Sequence, residues 1–111
     1  RMVREFCAAA FADCDVLHAP TFDMPIPTIE ETDMSDRQGF AALLARVSRC
    51  TRPFNYLTLP ALSLPAGFTA NGCPASMQLI GKPFAEATLY RAGAAYEAAT
   101  DFAAKAPELP V

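Results

Sequence analysis

The chain has 111 residues, 52% of them hydrophobic, with 9 Lys and Arg against 12 Asp and Glu for a formal charge of -3. A core can form at this length without staples, which become necessary below roughly 70 to 80 residues. The basic residues are scattered, which excludes the electrostatic footprint of a nucleic-acid binder, and no apolar run approaches the roughly 20 residues that cross a bilayer.

The four cysteines, Cys7, Cys14, Cys50 and Cys73, form no C-x-x-C pair, and His18 is the sole histidine. Zinc needs a tighter ligand cluster, and the spacings follow no disulfide framework. A reducing cytoplasm is therefore the expected compartment.

Val3, Phe6, Cys7, Ala10 and Cys14 recur at helical spacing, which predicts an amphipathic helix from the first residue to about Asp13. Arg1-Met2-Val3-Arg4 offers no capping side chain, so the sequence is expected to open inside a helix begun upstream. Asp15 to Ala19 is a short apolar run stopped by Pro20, as in a buried strand opening into a loop. From Pro20 to Asp36 the chain is irregular, with Pro25 and Pro27 followed by Glu30, Glu31, Asp33 and Asp36. Prolines donate no ladder bonds and clustered carboxylates favour water, so this is a surface excursion.

Ser35 and Gln38 have capping-box spacing, and Phe40, Leu43, Leu44 and Val47 form one apolar stripe. A helix is expected from about Asp36 to Cys50, ended by Pro53. The centre of the chain, Thr51 to Gly81, holds two apolar runs, Leu62 to Phe68 and Ala75 to Ile80. Between them Asn71-Gly72 tolerates the positive φ of a tight connection, so the pair reads as a β-hairpin over about 62–80. Met77 and Leu79 point one way, and Ser76, Gln78 and Ile80 the other, so both faces are to be covered.

After Pro83 a helix is predicted over about 85–105, with Leu89, Ala92, Tyr96 and Ala99 inward and small residues at Ala92 to Ala95 allowing close approach to a sheet. Pro107 and Pro110 read as a frayed tail. The order helix, strand, helix, hairpin, helix gives an α/β class with helices layered on a mixed β-sheet. Three strands are few for such a sheet, so residues beyond these 111 are expected to complete it and cover its apolar edge.

Three blocks carry a family likeness. They are Asp15-Val16-Leu17 with Ala19-Pro20-Thr21; Thr51-Arg52-Pro53-Phe54-Asn55 with Leu59 to Gly67; and Gln78 to Phe84 with Glu86-Ala87-Thr88-Leu89. In this order, over nearly the whole chain, they resemble the C-terminal part of the amidase signature family. The resemblance implies one amidase domain, of which residues 1–111 would be a C-terminal fragment, and a cofactor-free serine amidohydrolase. In that family a serine attacks the amide carbonyl, a second serine in a cis peptide relays a proton, and a lysine is the base. A Gly/Ser-rich segment holds the oxyanion, as acyl transfer requires.

None of that apparatus is recognisable here. Ser35, Ser48, Ser63 and Ser76 lie outside any Gly/Ser-rich loop, and Lys82 and Lys105 have no serine at family-like spacing. These residues alone are expected to be inactive, the catalytic set lying in the remainder of the chain.

The resemblance maps the wall of the substrate pocket to Ser48, Thr51, Phe54 and Asn55. Relatives that use glutamine to amidate transfer RNA carry an acidic residue three positions before the matching threonine, to read an amino group. Here that position is Ser48, whose neutral hydroxyl does not offset an ammonium.

Each candidate also has a structural reading. Asn55 could be a turn-former, Phe54 a core residue, and Arg52 either a carboxylate ligand or a surface residue. His18, Cys50 and Cys73 read as structural, and the acidic run as a solvated loop rather than a metal site.

The expected function is an amidase acting on a small or aryl amide, with a second copy of the chain as a conceivable partner and neither nucleic acid nor membrane as one. The alternatives are the amidase subunit of a glutamine-dependent transfer RNA amidotransferase and a noncatalytic interaction domain.

Overall fold

The computed structural model describes residues 1–106; Pro107 and Pro110 lie outside the described residues. Helix α1 (Met2–Ala10) is shorter than its periodicity suggests. Phe11 leaves helical geometry at φ -110° and turns its ring into the core, where it is 5% exposed. Burying one aromatic ring outweighs another turn of marginal helix.

Strand β1 (Val16–Pro20) follows, then the surface excursion with a single 3-10 turn at Glu30–Thr32. Helix α2 (Arg37–Val47) starts one residue later than expected, because Asp36 rather than Ser35 is its cap. The Asp36 carboxylate accepts from the Gln38 and Gly39 amides at 3.2 and 3.1 Å, while the Ser35 hydroxyl donates to Asp33. A Cβ on Gly39 would lie 2.2 Å from Asp36 Oδ2, so this cap depends on a glycine.

Helix α2 ends at Val47, and Pro53 does not end it: Pro53 lies in the first turn of a separate short helix, α3 (Arg52–Tyr56). A first-turn proline lacks only an N–H that would have no helical partner anyway.

The hairpin forms as its sequence pattern requires, β2 (Ala61–Phe68) and β3 (Pro74–Gly81). Gly72 takes φ 78°, and the Thr69 side chain closes the turn by accepting from the Cys73 amide at 3.1 Å. The strand order is β1-β3-β2, and both pairings are antiparallel, with Leu17 opposite Ile80 and Leu62 opposite Leu79. A bulge interrupts β2 between Pro65 and Gly67, where Tyr96 Oη donates to the Pro65 carbonyl at 3.0 Å.

Helix α4 (Glu86–Ala99) stops before the predicted end. Thr100 is extended, its hydroxyl donating back to the Tyr96 carbonyl. A 3-10 turn at Phe102–Ala104 then carries the Phe102 ring toward Gly67 in the bulge. Of the residues expected inward, Leu89 is buried and Ala92 and Tyr96 half-buried, but Ala99 is exposed.

The alternation along β3 builds two cores. On one face Ile80 packs with Phe11, Leu57 and Leu59, flanked by Phe6, Leu17 and Phe54. On the other Leu79 packs with Leu64 and Leu89, flanked by Leu62, Met77 and Tyr96. Gly93 lets α4 approach the sheet: a Cβ there would lie 2.6 Å from Leu62 Cδ2.

Candidate functional site

The segment between α2 and α3 is a knot of short-range bonds. Ser48 ends α2, and its hydroxyl donates to the Leu44 carbonyl at 2.7 Å, while its own carbonyl accepts the Arg52 amide at 2.9 Å. Arg52 Nη2 donates to Ser48 Oγ at 2.6 Å, and Thr51 Oγ1 to the Ser48 carbonyl at 3.4 Å. Ser48, Thr51 and Arg52 are thereby brought together in one turn.

Phe54 and Asn55 diverge from it. The Phe54 ring packs on the core around Phe11 and Ile80, whereas Asn55 is exposed, its carbonyl accepting from the Thr58 amide at 3.1 Å. Thr58 itself sits at φ 53°, the left-handed region, which a β-branched residue seldom enters. This bend returns the chain to Leu57 and Leu59, both buried in the core.

Two ties hold the 48–51 turn against the loop that leaves β1. Arg49 forms an ion pair with Asp23, which sets the Asp23 carboxyl below its usual range. Cys50, beside them, has its thiol pushed up by burial and then by the Asp23 carboxylate. The second tie is the Gln78 amide, which is 3% exposed and donates to the Cys50 carbonyl at 2.9 Å and the Pro20 carbonyl at 3.0 Å.

A cavity of about 540 Å³ opens between this loop, α2 and the end of the hairpin, lined by Phe22, Met24, Ile26, Phe40, Leu43 and Val47 among others. None of the four predicted pocket residues lines it, although Ser48 adjoins Val47. A second, shallower hollow is lined by Ala45, Arg49, Arg52, Pro53 and Tyr56. The alternation Phe22-x-Met24-x-Ile26 was the sequence signal for the first, masked by the prolines between. His18 is exposed on β1, and all four cysteines are free. Among the described residues no group of three or more His, Cys, Asp or Glu side chains converges.

An α/β layer of helices on an antiparallel hairpin sheet, carrying its polar turn between two helix ends, defines part of an amidohydrolase fold, and the Amidase family model matches residues 1–90, so the chain belongs to that family. It is 40% identical over 99% of its length to the glutamyl-tRNA(Gln) amidotransferase subunit of Moorella thermoacetica. It is 41% identical over 96% of its length to the same-named protein from Streptococcus mutans, and 36% over 98% to that from Chromobacterium violaceum. The chain spans about a fifth of the length of these relatives: 21%, 20% and 22%.

Proposed function

We propose that the full-length protein is a cofactor-free amidohydrolase that opens the C–N bond of a small or aryl carboxylic amide through an acyl-enzyme. A serine outside these residues attacks the carbonyl carbon, the amine leaves with a proton, and water releases the acid. The present residues contribute sheet core and one wall of the pocket, with Ser48, Thr51, Phe54 and Asn55 on the acyl side, and by themselves hydrolyse nothing.

The observation that carries the choice of substrate is the Arg52 guanidinium on Ser48 Oγ. At the position where a carboxylate would read an amino group, this chain presents a neutral hydroxyl topped by a cation. An ammonium there is repelled, so a free amino acid such as glutamine is a poor substrate. The test is Ser48→Asp in the full-length protein. A carboxylate at this position is expected to raise kcat/KM for glutamine about tenfold relative to a simple amide, the size of one charge-assisted contact. An unchanged ratio would remove position 48 from the substrate wall.

A second reading, the amidase subunit of a transfer RNA amidotransferase, is favoured by the name and 40% identity of the Moorella relative. It requires glutamine to be the better substrate of the unaltered protein.

A further inference from the structure

The loop leaving β1 and the 48–51 turn belong to different parts of the chain, and a single buried side chain joins both to the central strand. Gln78 lies in β3 between Met77 and Leu79, which pack against α4, and points to the opposite face. Its primary amide has two N–H groups, and each has its own carbonyl, Pro20 at 3.0 Å and Cys50 at 2.9 Å.

The chemistry of the position is narrow. Two neutral donors on one nitrogen at that reach are supplied by glutamine: a hydroxyl has one, a carboxylate none, and a lysine would bury a charge. Glutamine thus saturates two backbone carbonyls that would otherwise be buried without partners.

We infer that Gln78 is a positioning residue for substrate binding: it fixes the Ser48–Thr51 wall relative to the Thr21–Met24 loop, and so sets the width of the pocket between them. The inference rests on the reading of Ser48 and Thr51 as pocket wall. The Asp23–Arg49 pair ties the same two segments at the exposed rim, Arg49 being 71% exposed, and provides an internal control.

The experiment uses the full-length protein with Gln78→Met, which keeps the shape and removes both donors, and with Arg49→Ala. Gln78→Asn, one methylene short, serves if the methionine variant does not fold. For Gln78→Met we expect amide hydrogen exchange to rise at residues 20–24 and 48–52 but not in β2 or α4. We also expect KM for the preferred amide to rise about tenfold at constant kcat, the equivalent of one or two orphaned carbonyls. Arg49→Ala should move KM less than about threefold, as a surface pair does. Protection and KM like those of the unaltered protein would overturn the inference, as would exchange rising throughout with kcat and KM falling together in proportion to unfolded protein. Exchange rising in the two segments with every KM unchanged would instead overturn the pocket-wall reading, and the substrate role of Gln78 with it.

Discussion

Thr58 and Cys50 show how single residues record the demands of the site. At φ 53° a threonine bears the clash of its Cβ with the backbone, a cost on the order of 1 kcal/mol or more. Thr58→Gly is expected to raise stability by about 1 kcal/mol in a thermal melt, because glycine enters this region freely. No gain, or a loss, would mean that the hydroxyl bond to the Leu57 carbonyl at 2.7 Å is worth more than the strain.

Cys50 is half-buried beside the Asp23 carboxylate, and both influences hold its thiol neutral. Under iodoacetamide near neutral pH it should label far more slowly than the exposed Cys14, read by mass spectrometry of the labelled peptides.

Asp23 responds in the opposite direction. Its hydrogen bond from Arg49, the larger cause, holds its carboxyl below 3.8. The stabilisation from this pair is therefore complete above that ordinary value and is lost as pH falls through the lowered one. Arg49→Ala should move the Asp23 titration upward toward 3.8, followed by NMR.

Among the elements, α2 and α4 depend on contacts that their own sequences do not display. Removing the Asp36 carboxylate with Asp36→Ala should cost about 1 kcal/mol, the usual loss for an N-cap, as a lower melting temperature. Gly93→Val puts a branched side chain where even a Cβ would meet Leu62, and about 2 kcal/mol of overpacking is expected.

The hairpin was legible because its signals are local: alternation at Met77, Gln78 and Leu79, and Asn71-Gly72 at the turn. The ends of helices were not, because they are decided by partners distant in sequence or by rival neighbours. Ser35 and Asp36 are adjacent candidates for one cap, and the choice fell to Asp36 once Asp33 had taken the Ser35 hydroxyl. The helix predicted through Lys105 breaks at Thr100 because Phe102 has a place to fill beside the β2 bulge. At the site, Ser48 and Thr51 were found through family likeness. The Gln78 bridge spans 28 and 58 residues of sequence and left no local trace.

At the scale of the whole molecule, the buried core is thin. The radius of gyration is 16.6 Å, against about 13 Å for a compact domain of this length. Both β1 and β2 are edges of the sheet, and Phe84, Ile29 and Tyr56 are among the large hydrophobic side chains left exposed. Expressed by itself, the chain should therefore associate through these edges or melt without a sharp transition, read by light scattering and calorimetry. A monomer that unfolds cooperatively would contradict this.

The most direct measurement is ammonia release by the full-length protein from a simple aryl amide and from glutamine, compared as kcat/KM. The cation-topped hydroxyl at Ser48 predicts that the aryl amide is the better substrate. Preference for glutamine would contradict it and favour the amidotransferase reading.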